Sequence, residues 1–109
     1  MSIDAFVIKP ENEVTKKLYT PVMSQRFFQK CVMPAIDAEN LNWLRGLSVG
    51  IDVNMGNLKS FSNELFKLKE WSKNNLNKED YAYLNERISR LEAMLDKAFQ
   101  LEEVTVFIG

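Results

Sequence analysis

The 109-residue chain is 46% hydrophobic and 27% charged, with seven Phe, three Tyr and two Trp. This composition excludes an intrinsically disordered chain and bounds the architecture to a single domain, 1–109, with a real core. The net charge of −1 is evenly spread, six acids and six bases over residues 1–55 and nine and eight over 56–109, so no basic half or acidic tail marks a polyanionic or cationic partner.

Residues 2–8 are rich in β-formers and stop at Lys9-Pro10, which predicts an N-terminal strand. Glu11 to Tyr19 reads as a short helix with Val14 and Leu18 four apart, interrupted at Thr20-Pro21. A new helix is expected to run through Phe27, Phe28, Cys31 and Val32 and to end near Met33-Pro34. A third short helix follows, with Asp37 as its N-cap, Leu41 and Leu44 on one side and Gly46 at its end. Leu47, Val49, Ile51, Val53 and Met55 then alternate with small or polar residues, the pattern of a half-buried strand over 47–55, although Gly50 and Gly56 weaken it.

The C-terminal half carries the strongest periodicity. Asn57 caps a helix whose seam is Leu58, Phe61, Leu65 and Leu68. After a turn at Asn75-Leu76-Asn77, Asn77 caps a second helix with Asp80 at its third position, and Leu76 and Tyr81 form a hydrophobic staple. Its seam is Tyr81, Leu84, Ile88, Leu91, Leu95 and Ala98. The two helices make an antiparallel hairpin. A terminal strand over 102–108 closes the order, with Val104, Val106 and Ile108 on one face and Thr105 and Phe107 on the other. The expected fold class is a small two-layer α+β domain of order β-αα(α)-β-αα-β, the hairpin packed on a two- or three-stranded sheet.

The chain has no histidine and one cysteine, Cys31, in an apolar stretch. That removes Ser-His-Asp and Cys-His catalysis and a closed zinc site, and it fits a buried thiol in a reducing compartment. The glycines form no phosphate-binding loop, and Asp52-Val-Asn54-Met-Gly56 fails the calcium-loop spacing, with Asn63 where a bidentate Glu belongs. No metal or cofactor is expected. Lys67, Lys69, Lys73 and Lys78 at one end of the hairpin, and Arg26 and Lys30 beside Phe27-Phe28, read as solvated faces rather than a nucleic-acid surface. No segment has the length of a membrane helix, and the first residues lack a signal-peptide pattern, so a cytoplasmic protein without membrane contact is the expectation.

Protein recognition is therefore the leading class. On the last helix Tyr83, Arg87, Arg90 and Met94 share a stripe beside the seam, and these residue types are enriched at interfaces. Phe66 is a second candidate, since either it or Trp71 is left exposed when one of them packs on the sheet. Met23, Phe27, Phe28, Val32 and Met33 form a third apolar region that reads more readily as core. The expected function is a non-catalytic protein-binding module, in one form a bacterial immunity or antitoxin-type inhibitor. One alternative is a homo-oligomer joined through the stripe or through the edge of the 102–108 strand. The other is an enzyme using Asp4, Asp52 and Glu103 as convergent carboxylates.

Overall fold

The computed structural model describes residues 2–101 and 103–109. Its elements run β1 (Ser2–Ile8), α1 (Glu13–Lys16), β2 (Tyr19–Ser24), α2 (Gln25–Phe27), a π turn (Phe28–Val32), α3 (Met33–Glu39), α4 (Asn42–Arg45), a 3-10 turn (Gly46–Ser48), β3 (Ile51–Val53), α5 (Leu58–Asn75), α6 (Lys78–Leu101) and β4 (Thr105–Ile108). The sheet is antiparallel with strand order β2-β1-β4-β3. It is the expected α+β domain with its C-terminal hairpin, and the sheet carries a fourth strand, β2, in a segment expected to be helical.

The hairpin follows its sequence periodicity. Phe61, Leu65 and Leu68 of α5 and Leu84, Ile88, Leu91, Leu95 and Ala98 of α6 are all buried in one core. The Asp80 amide donates to Asn77 Oδ1 at 2.8 Å, and Asn77 Nδ2 returns a bond to the Asp80 carboxylate at 3.1 Å, a reciprocal cap at the start of α6. Asn57 instead turns its side chain back to Asn54, accepting from the Asn54 amide at 2.8 Å. α6 lies across β2, while α5 packs against α6, α3 and α4.

The first half departs further from the sequence pattern. Only Glu13–Lys16 is helical before β2. Pro21 fits a strand here because β2 lies at the sheet edge, where a missing amide costs no ladder bond. A bulge between Ile3↔Met23 and Asp4↔Pro21 leaves Val22 unpaired. Val22 and Met23 are consequently both buried, which erases the alternation a strand would show. The helix expected to stop near Met33-Pro34 continues to Glu39. The Met33 amide bonds to the Phe28 carbonyl five residues back, so the helical run restarts at the π turn and Pro34 falls in the first turn of α3, where proline is tolerated. Asp37 lies within α3 rather than capping a helix, and its carboxylate accepts from Arg45 Nη1 at 3.3 Å. The run ends at Asn40 in the left-handed conformation, φ 55°. The cap for α4 comes from α5, where Glu64 Oε1 accepts from the Leu44 amide at 3.1 Å.

The strand expected over 47–55 shrinks to Ile51–Val53. Leu47 belongs to the 3-10 turn, Val49 and Met55 are exposed, and Gly50 has φ +113°. β4 is an interior strand between β1 and β3, so it offers no free edge for self-assembly; position 102 of the expected strand lies outside the described residues.

Candidate functional site

The expected stripe on α6 divides among three environments. Met94 is only 5% exposed and belongs to the core. Tyr83 meets the Phe27 ring edge-on, with centroids 4.8 Å apart. The Arg87 guanidinium lies 5.2 Å from the Tyr83 ring centre, and its Nη1 donates to the Pro21 carbonyl at 3.4 Å. Tyr83 and Arg87 thus fasten α6 to the end of α2 and to the β2 edge. Arg90 stays at the surface in an i, i+4 pair with Glu86 at 2.9 Å. The spacing that puts the four on one stripe is real, but the stripe overlies β2, which the sequence pattern concealed.

Phe66 is 62% exposed, and Trp71 is the one that packs against the core. In the third apolar region Met23, Phe28 and Val32 are buried, with Phe27 and Met33 packed against the core. Cys31 is buried with its Sγ 3.7 Å from Asp80 Oδ2. Burial, and then the Asp80 charge, push this thiol above its ordinary pKa and away from the reactive thiolate. Lys69 pairs with Glu92 across the hairpin, which takes it out of the basic cluster.

The three carboxylates do not converge. Asp4 is on β1 and Asp52 on β3, with β4 between them, while Glu103 lies at the wall of a cavity beyond the strand ends. Among the described residues no three acids or thiols stand together as a metal-ligand group. Among the described residues no helix is long and apolar enough to cross a membrane.

A different surface emerges from strand pairing. On the helix-facing side, Ile3, Ala5, Val7, Val53, Val106 and Ile108 are buried. On the other side, the registers Tyr19↔Phe6, Phe6↔Phe107 and Phe107↔Asp52 form one row across all four strands. Phe6 is 42% and Tyr19 57% exposed. The Phe6 and Phe107 rings are 5.4 Å apart and tilted by 44°. The Phe107 ring occupies space that glycine leaves open: a Cβ on Gly50 would come within 2.5 Å of its ring and one on Gly109 within 2.9 Å. The absence of side chains at both positions lets the ring lie flat against the sheet.

Asp4 stands one row along on β1. Its carboxylate accepts from Ser2 Oγ at 3.1 Å and hydrogen-bonds the Tyr19 phenol, a bond that raises the Tyr19 pKa. At the far end of the sheet, beside the Ile8↔Thr105 pair, opens a cavity of about 500 Å³ lined in part by Lys9, Glu11, Met55 and Glu103. The sequence signal for this surface is an aromatic at the outward phase of each of two strands, Phe6 and Phe107; that they are neighbours follows only from the strand order.

Comparison of the chain with protein-family models, with curated proteins and with solved structures gives no match.

Proposed function

We propose that this chain is a non-catalytic protein-recognition module and that it binds through the open face of its sheet. The observation that carries this reading is the row Tyr19–Phe6–Phe107, with Tyr19 and Phe6 exposed and Phe107 half-buried, spanning three adjacent strands on the face opposite the buried core side chains. Aromatic side chains bring large rigid contact area to an interface at little entropic cost, and a contiguous exposed patch of them is a surface that a partner covers. Of the residues expected on α6, Met94 is buried and Arg87 is engaged with the Pro21 carbonyl, while Tyr83, 38% exposed beside Phe27, and Arg90 keep a smaller surface open.

Self-association through a strand edge has little support. Both edges are blunted, β2 by Pro21 and β3 by its length of three residues. An immunity or antitoxin-type inhibitor is one form that a recognition module takes, and it would bind a single enzyme stoichiometrically.

The test is affinity capture from the source cell, run in parallel with the wild-type chain, Phe6→Glu and Phe66→Glu. The partner retained by the wild type is expected to be lost with Phe6→Glu and kept with Phe66→Glu, whose exposed ring lies on α5 rather than on the sheet. Retention by Phe6→Glu, or loss only with Phe66→Glu, overturns the assignment to the sheet face.

A further inference from the structure

Charge that is balanced along the chain is not balanced on this face. The outward strand positions hold two carboxylates, Asp4 and Asp52, and no Lys or Arg. The adjoining cavity adds Glu11 and Glu103 against Lys9 alone. The aromatic rings are therefore flanked by carboxylates on this face, with Arg87 held at the β2 edge on the Pro21 carbonyl, and the negative faces of aromatic rings attract cations over them. The carboxylates oppose the phosphates of a single-stranded nucleic acid, the other polymer that stacks on sheet aromatics.

Resting on the reading of this face as a protein-binding surface, we propose that its partner is an extended peptide segment bearing cationic side chains, arginine above all. A guanidinium stacks on the Phe6 and Phe107 rings and pairs with the flanking carboxylates, a combination of flat stacking and forked hydrogen bonding that an ammonium does not match. The geometry also sets a spacing. Asp4 and Asp52 are separated by two strand intervals and two residues along the strand, which places them about 12 Å apart. Two arginines four residues apart on an extended chain point to the same side and lie about 13 Å apart. Such a pair reaches both carboxylates across β4, the strand between them that carries Phe107.

The experiment is an NMR titration of the isotope-labelled chain with three synthetic peptides. One carries two arginines four residues apart in a Gly/Ser background, one has the same composition with the arginines adjacent, and one replaces both with glutamate. The first is expected to perturb the amides of Asp4, Phe6, Asp52 and Phe107 and to bind more tightly than the second, and the third is expected not to bind. Affinity should weaken with salt, and Phe6→Ala should reduce it about two- to fivefold. Asp52→Asn should do the same, whereas Phe66→Ala should leave it unchanged. No perturbation of this face at millimolar arginine peptide overturns the proposal, as does equal binding of the glutamate peptide. Binding of a single-stranded oligonucleotide in place of the peptides, or self-association that Phe6→Ala abolishes, also overturns it. If Phe6→Glu loses a captured partner while the arginine peptide neither binds nor competes, the sheet face remains the recognition surface and only the cationic chemistry falls. If Phe6→Glu loses nothing, both fall.

Discussion

The two faces of this sheet are made from the same strands and do opposite things. The helix-facing side is built from Ile3, Ala5, Val7, Val53, Val106 and Ile108, all within the core. The other side carries Asp4, Phe6, Asp52 and Phe107, neighbours of those residues in sequence and separated from them only by the pleat. Burial on the first face contributes to folding, because each apolar side chain is removed from water against α6 and its neighbours. On the second face the aromatic rings stay partly wet in the isolated chain. Their hydrophobic contribution is realised only when something else covers them.

The contrast can be broken by truncating one residue on each side. Ile108→Ala removes buried volume in the middle of the core and should cost about 2–5 kcal/mol in urea unfolding. Phe6→Ala, on the adjacent strand but the opposite face, should cost less than about 1 kcal/mol. If the two costs were equal, the open face would be a structural layer and its availability to a partner would be in doubt.

A second variant asks how firmly the open face is preformed. Gly50→Ala places a residue with a side chain at φ +113° and drives its Cβ to 2.5 Å from the Phe107 ring. Strain and displacement of the ring together should cost about 1–3 kcal/mol. In a Phe107→Leu background the steric part is relieved and the backbone part remains, so the cost of Gly50→Ala should fall by about 1 kcal/mol in a double-mutant cycle. Additive costs would mean that the glycine serves the turn alone and leaves the ring unsupported.

The same contrast explains what was legible in the sequence. Burial on one side leaves a periodic trace, so β1, β4 and both hairpin helices can be read from their seams, and Asn77 can be read as a cap because Asp80 follows at the reciprocal position. β2 was hidden because its bulge turns Val22 and Met23 inward together and Pro21 imitates a helix break. The alternation over 47–55 was misleading for the converse reason: Leu47 is buried from a 3-10 turn and Val49 is exposed, so the regularity has no single strand behind it. With β2 unseen, Tyr83 and Arg87 had no visible neighbour and read as a free surface. Phe6 and Phe107 were each readable as outward-facing, but their juxtaposition depends on β4 pairing with β1, and chain order does not specify strand order.

The smallest effect lies in the hydrogen bond between Tyr19 and Asp4, which is fully on the open face. Phenol donation to the carboxylate favours protonated Tyr19, and ionisation would set two negative charges side by side, so the folded-state pKa lies above the ordinary value. The stability this linkage contributes is fully present below the unfolded tyrosine pKa of about 10, and it is lost as pH rises from there through the higher folded value. NMR of isotope-labelled tyrosine should show Tyr19 titrating above that ordinary value, and Asp4→Ala should bring it back down. Because the pair is in contact with solvent, added salt should weaken the charge component of the shift, whereas the Cys31 thiol, raised chiefly by burial on the covered side, should respond little to salt. A Tyr19 pKa indifferent to both Asp4→Ala and salt would mean that the phenol and carboxylate are not joined in solution. The acidic margin of the aromatic row would then be looser than its geometry indicates.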